Sequence, residues 1–140
     1  MNSKTIANDI EVVRNYFAAL ARGDLQTCGA LLADDVTWHQ PGRSGLSGQY
    51  RGKGELFPLL GRFMELSGGS FQIDEVRAVM ANGGLVAASI HFKAQRGAQS
   101  MAMDGVDLMR VEGGLIREVW LFSADQAADD RFWNAALAQP

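Results

Sequence analysis

The chain opens with a helical pattern of apolar residues. A predicted first helix over residues 5–22 carries apolar side chains at steps of three and four residues, namely Ile6, Ile10, Val13, Phe17 and Leu20. Gly23 suits the end of this helix because glycine adopts the left-handed conformation without strain. Asp24 can cap the helix that follows. The amino-terminal part is therefore predicted to be a helical hairpin.

Two more helices and a long loop are predicted in the first half of the chain. The second helix has a buried face of Leu25, Cys28, Leu31 and Leu32. Residues 36–40 form a short extended segment, and the glycine-rich residues 41–54 are predicted to form a long loop. The third helix presents the apolar face Leu56, Leu59, Leu60, Phe63 and Leu66, and it ends at Gly68-Gly69.

From Ser70 onward the apolar period changes from helical to alternating. Glycines at 83–84, 97 and 113–114 divide this part into four strand-length runs, which predicts an antiparallel meander. Ser123 and Gln126 have the spacing of a capping box, so a last helix is predicted to carry Phe132, Trp133 and Leu137. Helices before a meander predict an α+β fold, with helices covering one face of a bent sheet that can hold a ligand.

Composition narrows the class of protein and partner. The 140 residues suit one domain over positions 1–140. The 13 basic residues are scattered along the chain and the net charge is -3, so no basic surface that would bind nucleic acid is expected. No secretory signal or membrane-length apolar run is visible, so the cytoplasm is the expected compartment and no membrane partner is expected. The single cysteine, Cys28, is interpreted as a core residue.

Asp107 is the most unusual residue in the alternating half. Because strand side chains alternate, it shares one face with an otherwise apolar row, Met101, Met103, Gly105, Met109 and Val111. A carboxyl group buried there would have a raised pKa and could act as a hydrogen-bond donor. The alternative is that the strand ends or bulges near Gly105, which would turn Asp107 towards water or an arginine.

Few other side chains suggest chemistry. Tyr16 lies beside the apolar stripe of the first helix, either as plain core or with its hydroxyl near a partner. His39 stands next to the loop, with Trp38 and Gln40 on the opposite side of a regular strand, and a solitary histidine is commonly structural. Motifs for nucleophilic serine, zinc, redox cysteine or nucleotide phosphate are absent, and His39 and His91 are far apart in sequence. We therefore expect neither metal nor cofactor.

These residues resemble the bacterial ketosteroid isomerases of the NTF2-like superfamily, which also includes SnoaL-type polyketide cyclases and limonene epoxide hydrolases. The matching segments are residues 13–20, 23–25, 32–37, 75–79 and 106–111. Segments 38–42, 45–48 and 50–52 look more like a SnoaL-like branch. The resemblance implies a cone-shaped α+β barrel, a curved antiparallel sheet packed with three N-terminal helices and a short C-terminal helix.

The resemblance also implies roles for individual residues. Tyr16 matches the tyrosine that donates a hydrogen bond to the substrate oxygen, and Asp107 matches the protonated aspartate beside it. The aspartate that moves the proton is replaced by Gln40, whose amide cannot accept a proton, so His39 becomes the candidate base. The expected substrate-binding residues are Trp38, Phe63, Met103, Met109 and Trp120.

Three functions are compatible with this resemblance. The first is a cofactor-free isomerase or cyclase that acts on a hydrophobic carbonyl or polycyclic substrate through Tyr16 and Asp107. The second is a non-catalytic module that binds a small hydrophobic molecule. The third is an epoxide hydrolase, which would need an Asp-Arg-Asp set from Arg77, Asp104 and Asp107. A homodimer is also expected, through an outer sheet face of Val86, Ala88, Ile90, Phe92, Trp120 and Phe122.

Overall fold

The computed structural model describes residues 3–139. The helices and strands follow the order α1 (Ser3–Ala21), α2 (Leu25–Leu31), β1 (Leu32–Gln40), β2 (Gly48–Arg51), α3 (Lys53–Leu66), β3 (Gln72–Asn82), β4 (Leu85–Arg96), β5 (Gln99–Glu112), β6 (Leu115–Ser123) and α4 (Gln126–Ala138). The predicted α+β order is therefore confirmed, with three helices before the meander and one after it.

The strands form one curved, unclosed mixed sheet in the order β2-β1-β6-β5-β4-β3. Strands β3 to β6 are the predicted meander, and β1 adds to it by pairing in parallel with β6. The predicted loop over residues 41–54 is shorter than expected, because it contains β2, which pairs antiparallel with β1. Strands β1 and β6 are thus neighbours in the sheet although one comes from the first third of the chain and the other from near its end.

Burial alternates strictly along β5. Met101, Asp107, Met109 and Val111 are buried, whereas Ala102, Asp104 and Val106 are exposed. The pairing with β4 runs without a break through Gly105, so the alternative in which the strand bulges there is wrong. We call the side of the sheet that carries Asp107 the inner face and the opposite side the outer face.

The residues predicted to form the outer face lie mostly on the inner one. Four of them, Val86, Ala88, Ile90 and Phe92, are between 0% and 8% exposed and belong to the core. Their neighbours in sequence, such as Ser89 and His91, occupy the outer face instead. The alternation was predicted correctly, but an apolar row does not by itself indicate whether helices or a second protein covers it.

The last helix begins differently from the prediction. Asp125, and not Ser123, is its N-cap, because the Asp125 carboxylate accepts a hydrogen bond from the Ala128 amide at 3.0 Å. In the amino-terminal helical hairpin, Asp24 caps α2 as predicted. Its carboxylate accepts a hydrogen bond from the Thr27 amide at 3.0 Å. Leu25 departs from its predicted buried face, since it is 56% exposed.

Helix α4 holds the loop that leaves β1. The Arg43 amide donates to Asp130 Oδ2 and the Gly45 amide donates to Asn134 Oδ1, both at 2.9 Å. Gly42 lies so close to this helix that a Cβ there would be 2.1 Å from Asp130 Oδ1. The end of β1 and the start of α4 are therefore fixed relative to each other.

Candidate functional site

A cavity of about 640 Å³ lies between the inner face of the sheet and the helices. All four described helices and every strand except β2 contribute to its wall. Most lining residues are apolar, and they include Leu20, Phe57, Leu60, Phe63, Ile73, Ile90, Phe92 and Leu121. The polar side chains among them come from Tyr16, Gln26, Gln40, Asp107, Ser123 and Asp129. Its size is that of a small-molecule site.

Asp107 occupies the middle of the sheet wall. It stands opposite Ala88 on β4 and Leu121 on β6 and is only 5% exposed. Its carboxyl group makes no hydrogen bond within residues 3–139, and burial alone raises its pKa to about 7 from an ordinary 3.8. At neutral pH a large fraction of Asp107 is therefore a neutral acid with an O–H to donate.

The hydroxyl group of Tyr16 is the second polar group without a partner. Tyr16 comes from α1, is 1% exposed, and its hydroxyl oxygen is buried with no hydrogen-bond partner in the described part of the chain. Burial first, and then the negative charge of the nearby Asp107, raise the pKa of Tyr16. The phenol therefore stays neutral, as a donor beside the carboxyl group.

Gln40 and Trp38 point into the cavity as a bonded pair. The indole Nε1 of Trp38 donates to Oε1 of Gln40 at 3.0 Å, and both residues line the cavity. Because an indole N–H can only donate, it determines which way the amide is turned. The amide nitrogen of Gln40 is left as a further donor that faces the cavity.

His39 lies on the other side of β1 and is not part of the cavity wall. Its Nε2 is 2.6 Å from Glu118 Oε2, and its ring stacks on Trp120 with centroids 5.3 Å apart. Strand alternation sends Trp38 and Gln40 inwards and His39 outwards. The structure therefore does not bring His39 to Tyr16 and Asp107, and its predicted role as the base is corrected.

The expected substrate-binding residues are divided in the same way. Trp38 and Phe63 line the cavity. Met109 shares the inner face but is completely buried in the core, and Met103 is half-buried without lining the cavity. Trp120 stacks against His39 on the outer face. Alternation correctly placed Met103 and Met109 on the face of Asp107, but it did not show which inner residues border the cavity, and the substrate-binding role predicted for Trp120 is corrected.

Asp129 lines the cavity and was missed from the sequence. It lies in the first turn of α4, is 4% exposed, and accepts hydrogen bonds from Ser123 Oγ at 2.9 Å, Trp133 Nε1 at 2.9 Å and Gln126 Nε2 at 3.3 Å. Burial raises its pKa, and the hydrogen bonds from Ser123, Trp133 and Gln126 oppose that rise. Its four-residue spacing from the predicted core residue Trp133 was the available signal.

Other predicted arrangements are not assembled. Arg77 pairs with Asp104 at 2.6 Å in an exposed position, whereas Asp107 faces the cavity, so these three residues do not form one set. Within residues 3–139 no three His, Cys, Asp or Glu side chains gather closely enough to hold a metal ion. None of the helices in that range combines the length and apolar character needed to cross a membrane.

Comparisons of the sequence identify the family. Residues 13–119 match the SnoaL-like domain family. An uncharacterised protein of Mycobacterium tuberculosis, Rv0034, is 32% identical over 125 residues, which cover 89% of this chain and 95% of that protein.

Comparisons of the structure give the same family of folds. A Xanthomonas campestris protein of unknown function with a cystatin-like fold is 42% identical, with a TM-score of 0.86 and coverage of 89% of this chain and 97% of the other. An NTF2-like protein of Burkholderia xenovorans has the same fold at 24% identity, with a TM-score of 0.76 and coverage of 92% and 98%.

Two further structures share the fold at lower identity. A protein described as a candidate polyketide cyclase from Xanthomonas campestris is 22% identical, with a TM-score of 0.67 and coverage of 82% of this chain and 89% of the other. An LEH-like epoxide hydrolase of Mycobacterium tuberculosis is 20% identical, with a TM-score of 0.70 and coverage of 96% and 95%. The predicted cone-shaped α+β fold, which NTF2-like proteins share, is thus confirmed, and the chain belongs to the SnoaL-like domain family.

Proposed function

We propose that this SnoaL-like protein binds a neutral, hydrophobic carbonyl compound and polarises its oxygen, as a cofactor-free isomerase or cyclase would. The observation that carries the proposal is the unpaired Asp107 carboxyl group in an apolar cavity, close to the unpaired Tyr16 hydroxyl. Buried polar groups are nearly always hydrogen-bonded, so two neighbouring groups without partners suggest a ligand atom that both contact.

The protonation states favour an acceptor atom as that partner. Asp107 is substantially protonated at neutral pH because its pKa is about 7, and Tyr16 is neutral because its pKa is raised. Both groups then present an O–H donor to the same region. A carbonyl oxygen, whose negative charge grows as the neighbouring carbon loses a proton, suits such a pair.

The wall also limits the charge of the ligand. No lysine, arginine or histidine is found among the lining residues of the described chain. A phosphate or carboxylate ligand would therefore enter an apolar space without a cation to compensate its lost hydration. A neutral ring compound with few polar atoms fits the volume of the cavity and needs no cation in its wall.

A non-catalytic binding role is the second candidate, and Gln40 favours it. The position that holds the proton acceptor in the ketosteroid isomerases is an amide here, and the bond from Trp38 leaves the amide nitrogen free as a donor. A cavity in which no group takes up the proton would hold a carbonyl compound without removing a proton from it. The two candidates thus share the ligand and differ only in whether a proton is transferred once the ligand is bound.

The proposal is tested by titrating the protein with β-naphthol, a neutral bicyclic phenol that mimics an enolised carbonyl. We expect Asp107→Leu to weaken binding by about tenfold or more, since the mutation removes a buried hydrogen bond. Asp104→Leu is the matched control, because it lies on the exposed outer face of the same strand. If Asp107→Leu and wild type bound β-naphthol with equal affinity, Asp107 would not contact the ligand.

We also propose that the protein is a homodimer that uses the outer face of the sheet. In support, Phe122 and Val106 are paired across β6 and β5 and are 56% and 38% exposed. Half-buried Trp120 and Leu108 stand next to them on the same face. This apolar patch replaces the inner residues that the sequence had suggested for the interface.

A further inference from the structure

We infer that Asp129 is the proton acceptor of this cavity, in place of the aspartate that is missing at Gln40. The inference rests on the proposed function, because it gives the polarised carbonyl compound a base. Asp129 lines the same cavity as Tyr16 and Asp107, but it enters from α4 at the other end of the chain. It would make the protein an enzyme and not only a binding module.

The hydrogen bonds around Asp129 favour the carboxylate form, which accepts protons, and they oppose the rise in its pKa that burial causes. Trp133 Nε1 donates to Oδ1, while Ser123 Oγ and Gln126 Nε2 both contact Oδ2. An indole and an amide N–H can only donate, so both oxygens act as acceptors. A carboxylate has about four lone-pair positions, and these three bonds use all but one of them, on Oδ1.

The two buried carboxyl groups of the cavity have opposite surroundings. Asp107 accepts no hydrogen bond within residues 3–139, and burial favours its neutral form, whereas Asp129 accepts three hydrogen bonds and lies at the N-terminal turn of α4, where the helix dipole favours negative charge. Burial first, and then the charge of neighbouring Asp130, work against this ionisation and raise the pKa of Asp129. Pairs of carboxyl groups separated in this way divide acid and base roles between them.

The proton transfer is balanced without any other reactant. Asp129 takes a proton from the carbon next to the substrate carbonyl, and the C–H electron pair forms a C–C double bond. The carbonyl π pair moves to oxygen, which Tyr16 and neutral Asp107 stabilise by donating hydrogen bonds. Asp129, now a neutral acid, returns the proton to the same carbon or to a conjugated one, which gives exchange or isomerisation.

The experiment measures deuterium uptake into β-tetralone, a bicyclic ketone with acidic protons beside its carbonyl, by NMR in deuterated buffer. We expect wild type to accelerate deuterium uptake above the rate in buffer alone. We expect Asp129→Asn to be at least about tenfold slower than wild type, because it lacks the general base. Asp104→Asn is the control, because Asp104 is an exposed carboxylate on the outer face of β5 and does not line the cavity. We expect this variant to keep the wild-type rate.

Binding of β-naphthol separates failure of this inference from failure of the proposed function. If wild type does not bind β-naphthol, the proposed function is wrong. If it binds β-naphthol and β-tetralone competes, but uptake stays at the buffer rate or is equal in Asp129→Asn, then Asp129 is not the base. Should Asp129→Asn fail to fold, Asp129→Ser removes the carboxylate and keeps a small polar side chain, and an undiminished rate in that variant would equally overturn the inference.

Discussion

Asp107 makes the free energy of unfolding depend on pH. Its pKa is about 7 in the folded protein and near its ordinary 3.8 in the unfolded chain, so the folded state holds a proton that the unfolded state releases between these values. The free energy of unfolding contributed by this group is therefore fully present below about pH 4, falls as the pH rises, and levels off above about pH 7. The total loss is at most about 4 kcal/mol.

The pH effect is measured by urea unfolding of wild type and Asp107→Asn across this pH range. Asparagine is similar in size and does not ionise, so the stability of the variant relative to wild type is expected to increase as the pH rises towards 7. Other titrating groups contribute equally to both proteins and cancel in the difference. A difference that does not change with pH would show that Asp107 has an ordinary pKa and is not held in an apolar site.

At the scale of single elements, α4 depends on the side chain that caps it. Asp125→Ala removes the hydrogen bond to the Ala128 amide, and we expect a loss of about 1 kcal/mol in the free energy of unfolding. Asp24→Ala should cost at least as much at α2, because Asp24 accepts from the Thr27 amide at 3.0 Å and also from the Thr27 hydroxyl at 2.6 Å. Denaturant unfolding measures both, and an unchanged midpoint for Asp125→Ala would contradict the assignment of the cap.

The elements differ in how far sequence alone could predict them. Strands β3 to β6 were predicted because tight glycine turns connect them and neighbours in sequence are neighbours in the sheet. The pairing of β1 with β6 joins residues such as Trp38 and Val119, and no local pattern encodes a contact of that separation. The short β2 was hidden for a different reason, since its four residues have no apolar alternation.

The residues of the candidate site differ in the same way, because some stand out within their own helix or strand and others only through contacts between distant elements. Tyr16 and Asp107 could be proposed because each interrupts or borders an apolar stripe of its own element. The alternation of β1 separated His39 from Trp38 and Gln40, but it did not indicate which side faced the helices. Asp129 escaped notice because its importance comes from a cavity that only exists once α4 has folded back against the sheet.

At the scale of the whole molecule, the proposed homodimer predicts a specific response to mutation. Sedimentation velocity at micromolar concentration is expected to give a dimer for wild type and a monomer for Val106→Glu, since a charge would be buried in the outer-face interface. Met64→Glu is the control, because Met64 is 44% exposed on α3, on the helical side of the molecule. A monomeric wild type would contradict the proposal.

The parallel pairing of β1 with β6 also has a consequence for how the protein is made. Residues that line the cavity extend from Tyr16 to Trp133, so almost the entire chain must leave the ribosome before a ligand can bind. Strand β1 is synthesised early and can pair with β2 soon afterwards. Its other edge has no partner until β6 (Leu115–Ser123) is synthesised, so β1 and β2 cannot join the rest of the sheet before then. Contacts of such long sequence separation form slowly, so the edge of β1 that later pairs with β6 stays open during synthesis and is exposed to wrong pairing.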